Sequence, residues 1–283
     1  MTITAQMVKE LRGRTGAGMM DCKNALNETG GNIDEAIKFL RTKGLAAASK
    51  KAYRTASDGV VVVEGDEAAM VVLELNCETD FVARNPEFVS FAKELAGQAL
   101  SSKATGADEL IGQAYAGDTG HTVEEAISQK VATIGENIVL NRLERIEAGS
   151  GNQLNSYIHG GGKIGVVVEG VGGISPEALH DVALHVAAAE PRFVTREEVT
   201  EDLLETEREI ALRQAVEQGK PEEIAKRIVE GKMEKFFIQE VLLEQAFAKE
   251  TGKSVSEFLK EAAGDDATIV RFVRFKLGEG SGE

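Results

Sequence analysis

Apolar residues recur at helical spacing through the first fifty positions, and from Gly59 onward they fall into strand-like runs of Val and Leu. That switch of period restricts the chain to a mixed α+β fold. Thr4 is placed to cap a helix carrying Met7, Val8 and Leu11, which Thr15-Gly16-Ala17-Gly18 ends. Asp21 reads as the cap of a second helix, with Cys22, Ala25 and Leu26 inward and Gly30-Gly31 closing it. Asn32 with Glu35 resembles a capping box for a third, with Ile33, Ala36, Ile37 and Leu40 inward and Gly44 as its stop. A core this small is marginal alone. Residues 45–54 read as a basic linker or helical extension, so the first module is placed at 1–54.

Segments 59–64 and 69–76 read as a hairpin turning through Gly65-Asp66. Pro86 opens a helix with Phe88, Phe91, Leu95 and Leu100 on its apolar face, and a second helix over 123–134 leads through Gly135 into a strand at 138–146. The layout then repeats. A Val-rich strand at 164–169 is followed by Ser175-Pro176-Glu177, the counterpart of Asn85-Pro86-Glu87, and a helix presenting Leu179, Val182, Val186 and Ala187. Two related α+β core halves are therefore expected, at 55–146 and at 147–192 with 240–265.

Between these last two segments lies a third style of sequence, at 193–239. Stretches 201–218 and 221–234 are dense in Glu, Arg, Lys and Leu and are broken by Gly219-Lys220-Pro221, which predicts an antiparallel helical hairpin. Its apolar positions (Val199, Leu203, Leu204, Ile210, Ala211, Ile224, Ile228, Val229) give one stripe per helix, so it is expected to project as a short coiled coil. A C-terminal module at 266–283 holds an alternating strand at 269–275 and a flexible end from Gly278.

Charge divides the chain: residues 1–54 carry a net +5, and the rest carries −20 of the total −15. An acidic body argues against nucleic acid as a direct partner, because phosphate binding needs clustered Lys and Arg. The longest aliphatic runs stop far short of the roughly 18 residues of a membrane span, and Lys9, Glu10, Arg12 and Arg14 stand where an export signal needs an apolar stretch. Cys22 and Cys77 fit reduced, partly buried thiols of a cytoplasmic protein.

Catalytic patterns are scarce. His180 and His185 fall on different faces of a helix; His121 and His159 stand alone. Gly160-Gly161-Gly162-Lys163 fails as a phosphate loop, since Tyr157 takes the first glycine position and Ile164 the Ser/Thr position. Two groups of residues are poorly explained by a core. Met19-Met20 follow a glycine turn at a helix entrance, where adjacent methionines suit an adaptable recognition surface or one buried and one incidental side chain. Thr79-Asp80-Phe81-Val82 leaves a strand as a connecting loop; Asp80 and Phe81 either cap that loop and plug the core or form an exposed anchor. Spacing alone leaves both open.

The stretch Leu11-Arg12-Gly13-Arg14-Thr15-Gly16-Ala17-Gly18-Met19-Met20-Asp21-Cys22-Lys23-Asn24-Ala25-Leu26 resembles the N-terminal motif of the elongation factor Ts family. Leu73-Glu74-Leu75-Asn76-Cys77-Glu78-Thr79-Asp80-Phe81-Val82-Ala83-Arg84 is similar to that family's second motif. The similarity runs on through Ile134-Gly135-Glu136-Asn137 and Tyr157-Ile158-His159-Gly160 to Arg274-Phe275-Lys276-Leu277-Gly278-Glu279-Gly280. Gly13, in place of a charged residue, and the glycines after His159 depart from the pattern. The resemblance implies a three-helix module like ubiquitin-associated domains, a two-part α+β core and a coiled-coil insertion. It implies a cytoplasmic guanine-nucleotide exchange factor that binds elongation factor Tu, GDP-bound or nucleotide-free, without cofactor, metal, membrane or covalent chemistry. Carried over by position, Arg12, Met19 and Met20 dock on the partner's nucleotide-binding domain. Thr79, Asp80, Phe81 and Val82 insert between its helices and dislodge magnesium, Ile134 and Gly135 lie near that contact, and His159 faces the partner's other end. Whether two complexes pair into a 2:2 assembly stays open. So do two other classes: a module that recognises a peptide or ubiquitin-like protein, and a hydrolase or transferase with a diffuse site.

Overall fold

The hydroxyl of Thr4 accepts the Met7 amide and starts the first helix in the computed structural model of the chain, which describes residues 2–218 and 221–279. Helix α1 (Ala5–Thr15) ends where Gly16 turns left-handed at φ +65°. Helix α2 (Met19–Glu28) begins from Gly18, earlier than the Asp21 cap expected. The extended backbone of Gly18 starts the helix without a side-chain cap, and Asp21 sits in its first turn, where a carboxylate favours the helix dipole. Asn32 caps α3 (Ile33–Lys51) by accepting the Asp34 and Glu35 amides at 3.1 Å, but Glu35 reaches forward to Lys38, so only half of the expected capping box forms. Val8, Leu11, Cys22, Ala25, Leu26 and Ala36 are the buried centre of this small core.

Strands β1 (Asp58–Gly65) and β2 (Ala69–Cys77) form the expected antiparallel hairpin. A one-turn helix, α4 (Asp80–Ala83), precedes α5 (Pro86–Ser102), which starts on Asn85 and buries Phe88, Phe91 and Leu95. The short α6 (Ala107–Ile111) and the ribbon of β3 (Ala114–Tyr115) and β4 (Asp118–Thr122) have no counterpart in the sequence reading. Thr122 and Glu125 then form a capping box for α7 (Val123–Ile134), and β5 (Val139–Glu147) returns antiparallel to β2.

The second half repeats the plan. Strand β6 (Gln153–His159) pairs with β7 (Ile164–Val171), α8 (Pro176–Ala189) starts on Ser175, and β8 (Thr268–Lys276) returns antiparallel to β7. Sheet order is β1-β2-β5 in one half and β6-β7-β8 in the other. The strand of the expected C-terminal module is therefore hydrogen-bonded into the second sheet rather than standing apart. Residues Val60, Val62, Val71, Leu73 and Leu75 face α5 and α7, while Val61, Met70 and Val72 face the other way, onto Val167 and Phe275 of the second sheet. Strand alternation thus builds four layers: helices, sheet, sheet, helix.

Both sheets hold a buried carboxylate at that inner seam. Glu74 on β2 lies opposite Arg142 on β5, with Nε 2.7 Å from Oε2; Glu169 on β7 lies opposite Arg271 on β8 at 2.6 Å. The ladder slips by one residue beside each pair, at Asn141 and at Val270. Each arginine then crosses to the other half: Arg142 donates to the Lys276 carbonyl at 2.8 Å and Arg271 to the Glu147 carbonyl at 2.7 Å. Gly278 donates its amide to Glu74 at 3.0 Å, and Gly149 donates to Glu169 at 2.8 Å. The contacts exchange under a twofold, as in an isologous dimer interface built within one chain. Burial alone would raise the Glu169 carboxyl's pKa, but hydrogen bonds from Asn152, the Gly149 amide and Arg271 hold it below the usual value.

Gly44 does not end α3, which continues to Lys51. It lies buried where α3 crosses α7, and a Cβ there would stand 3.6 Å from the Cβ of Ala132. Arg41 pairs with Glu125 and donates to the Gly120 carbonyl at 3.2 Å, while Lys51 reaches the Val131 carbonyl at 3.4 Å. Residues 45–51 are thus a helical extension docked on the core.

Helices α9 (Glu201–Glu217) and α10 (Glu222–Glu240) pack antiparallel, Leu204 near the start of one meeting Met233 near the end of the other. Ala211, Ala215 and Ala225 are buried at a close seam; Ile210 and Ile224, expected inside, are 43% and 49% exposed. The expected turn at Gly219-Lys220 and the end at 280–283 lie outside the described residues. A final helix, α11 (Val255–Ala263), joins the second core with Val255 and Leu259.

Arg142→Met strands a buried carboxylate and is expected to cost about 3–5 kcal/mol in urea unfolding, most of it recovered by adding Glu74→Leu. Gly44→Ala meets only ordinary contacts and should gain about 0.5–1 kcal/mol from helix propensity. Gly44→Leu overpacks the crossing and should cost about 1–3 kcal/mol in the same measurement.

Candidate functional site

The end of β2 delivers the chain into a tightly fastened corner. Cys77 is fully buried, and its thiol donates to the Thr79 carbonyl at 3.2 Å; burial pushes its pKa up to about 12. Thr79 is the cap of α4, its hydroxyl accepting the Val82 amide at 3.4 Å. That same hydroxyl donates to Glu136 at 2.6 Å, and the other Glu136 oxygen accepts the amides of Glu78 and Thr79 at 3.0 Å each. Glu78 returns the bond, accepting the Asn137 amide at 2.7 Å and pairing with Arg54 at 3.4 Å. The Asn137 bond first, and Arg54 with it, holds the Glu78 carboxyl below its usual pKa. The Asn137 side chain donates to the Arg54 carbonyl at 2.8 Å.

One turn of helix sends consecutive residues about 100° apart. Ala83 is buried and Val82 half-buried against the first core, which turns Phe81 outward, 84% exposed. Asp80 sits in the first turn and pairs with Arg84 at 3.1 Å. Leaving a phenylalanine in water forgoes about 1.5–3 kcal/mol of burial. The reading of Phe81 as a core plug is therefore excluded. Ile134 and Gly135 end α7 beside this corner; Gly135 is exposed and left-handed at φ +91°, and Ile134 half-buried. Glu136 brings the two segments together.

Arg12, Met19 and Met20 lie on the first module. The methionines are 60% and 65% exposed at the first two positions of α2, and the exposed Arg12 side chain has no hydrogen bond or ion pair among the described residues. His159 stands apart at the exposed end of β6, its Nδ1 3.1 Å from the Tyr157 hydroxyl. The turn that follows it is tied to the core through Gly162, whose carbonyl accepts the Val61 amide at 2.7 Å. Sequence reasoning singled out the exposed residues and missed those that fasten the Phe81 turn: Cys77, Glu136, Asn137 and Arg54. The signal available was Glu136-Asn137, directly after Ile134-Gly135.

A cavity of about 220 Å³ opens elsewhere, between α3 and α7, but its cations Arg14, Arg41 and Lys43 are already paired with Asp34, Glu125 and Asp21. Among the described residues, no group of three or more His, Cys, Asp or Glu is placed to hold a metal ion, and no helix is long and apolar enough to cross a membrane. The arrangement is suited to pressing side chains into another macromolecule.

A protein-family model described as elongation factor TS matches residues 78–279, from the corner at Glu78 to the turn after β8. The first module lies ahead of the match.

With its pKa near 12, the Cys77 thiol is ionised in roughly one molecule in ten thousand at pH 8, and it is buried besides. Alkylation by iodoacetamide, followed by peptide mass, is expected to be at least about a hundredfold slower for native than for urea-unfolded protein.

Proposed function

We propose, from the premise that this chain belongs to the elongation factor Ts family of nucleotide exchange factors for elongation factor Tu, that Phe81 opens its partner's nucleotide site. The single observation that carries this reading is an 84%-exposed aromatic ring on a clamped turn of helix. Such a ring gains its burial only inside a partner.

A GTPase holds GDP through its phosphate loop and through a magnesium ion that bridges phosphate and side-chain oxygens. A factor that binds best to the nucleotide-free form must weaken nucleotide binding by the factor by which nucleotide weakens its own. Insertion of Phe81 shifts a packed helix of elongation factor Tu, with Thr79, Asp80 and Val82 around it, and disturbs magnesium coordination first. Phosphate contacts are released as the loop follows. Arg12, Met19 and Met20 hold the same nucleotide-binding domain, where the flexible methionines fit an irregular surface. Ile134 and Gly135 flank the wedge, and His159 contacts the partner at a distance from the nucleotide. Their burial offsets the cost of distorting the site, and GTP then replaces GDP with no bond made or broken in the factor.

Phe81→Ala is expected to slow stimulated release of labelled GDP from elongation factor Tu at least about tenfold, or roughly 1.4 kcal/mol of barrier. Release at the unsubstituted rate would remove the wedge from the mechanism.

A further inference from the structure

Helix α4 is a single turn of four residues, and a helix that short has no stability of its own, since nucleation costs more than one turn returns. Two inward side chains, Val82 and Ala83, anchor it to the core, the Asn85 amide donates to the Val82 carbonyl at its far end at 2.9 Å, and its near end is fixed through Thr79. Glu136 takes up the Thr79 hydroxyl, the Thr79 amide and the Glu78 amide at once. The exchange is mutual, because Glu78 accepts the amide of Asn137. Two loops distant in sequence thus cap one another with their carboxylates, and Arg54, just past α3, closes the junction from a third side through its guanidinium and its carbonyl.

We infer that Glu136 is a positioning residue for exchange: it makes the base of the Phe81 turn stiff enough for insertion to deform the partner instead of the factor. The inference rests on the wedge reading above. An exposed ring meeting a packed surface is pushed back as hard as it pushes. If α4 can pivot about Thr79, the ring folds aside and the partner's helix stays where it is. The first encounter with the GDP-bound partner needs no such stiffness, as the contacts of Arg12, Met19 and Met20 do not pass through Glu136. Loss of the clamp should therefore lower the maximal rate of exchange and leave the concentration dependence nearly unchanged.

The experiment measures GDP release from elongation factor Tu against factor concentration for the unsubstituted protein, Phe81→Ala, Glu136→Ala, Glu136→Gln and Thr79→Val. Glu136→Ala is expected to lower the maximal rate about tenfold with half-saturation within about twofold, the size of effect that misplacing a working group produces. Glu136→Gln keeps an acceptor for the two amides and should recover at least half of the lost rate on a logarithmic scale. Thr79→Val keeps the shape and removes the hydroxyl, so it should lose rate in the same way even if Glu136→Ala does not fold. Faster amide hydrogen exchange at Glu78 and Thr79 in the alanine variant would tie the loss to the clamp. A maximal rate for Glu136→Ala or Thr79→Val equal to the unsubstituted one, with Phe81→Ala defective, overturns the inference and leaves the wedge standing. An unsubstituted factor that does not stimulate release at all defeats the wedge reading itself.

Discussion

Two carboxylates sealed between sheets set the frame on which the rest of the molecule is hung. Glu74 and Glu169 are almost fully removed from water, a placement tolerated only because each meets an arginine, an amide and an asparagine in fixed geometry. The pairs fix strand register, since a one-residue slip would turn each carboxylate into the helical layer. They also fix how the halves stack, because each arginine finishes its hydrogen bonding on the other sheet. Glu74 stands just ahead of Asn76 and Cys77, where β2 hands the chain to the Phe81 turn. Asn76 is itself bonded to Glu74 at 3.0 Å and to the Asp58 carbonyl at 3.2 Å. The strand end that leads into the Phe81 turn is thus fastened by a polar contact deep in the sandwich.

A stable core and an exposed aromatic ring make opposite demands on apolar residues, and this chain separates them by secondary structure. On β2 every side chain from Met70 to Cys77 is buried; within four residues the chain exposes a whole aromatic ring. The change is managed by the inward Val82 and Ala83 together with polar groups of specific geometry, the Thr79 hydroxyl and the Glu136 carboxylate. Neither group is fully buried, so the clamp avoids the large desolvation cost that the sheet carboxylates bear.

Legibility in the sequence followed the range of the interactions. Caps at Thr4 and Asn32 and the starts at Asn85-Pro86 and Ser175-Pro176 are local, and with the Val- and Leu-rich runs of β1, β2 and β7 they place most elements from short windows of residues. The duplication was visible in Asn85-Pro86-Glu87 and Ser175-Pro176-Glu177, yet its strongest mark, the Glu–Arg pairs, spans 68 and 102 residues and has no local trace. Strand β6 was overlooked because Leu154 alone is buried there, among Asn and Ser that read as loop. Gly44 misled for a similar reason. A glycine after a helical run ordinarily marks an end, but here α3 runs on past it across α7, a neighbour distant in sequence. At the candidate site, spacing drew attention to Met19, Met20 and Phe81 but left their exposure open, and the supports of the Phe81 turn come from a segment 58–59 residues away.

The continuity of α3 bears on how a first module and a core could share a partner. Had residues 45–54 been a flexible linker, docking of Arg12, Met19 and Met20 would leave Phe81 searching a volume set by the linker, and each second contact would lose orientational freedom on binding. A helix running unbroken from Ile33 to Lys51, seated on α7 at Gly44 and fastened through Arg41 and Lys51, has lost that freedom during folding. Just beyond it, Arg54 joins the junction that holds the Phe81 turn. The first module and the Phe81 turn are therefore carried on one frame, through α3 and α7, whose mutual orientation is set during folding.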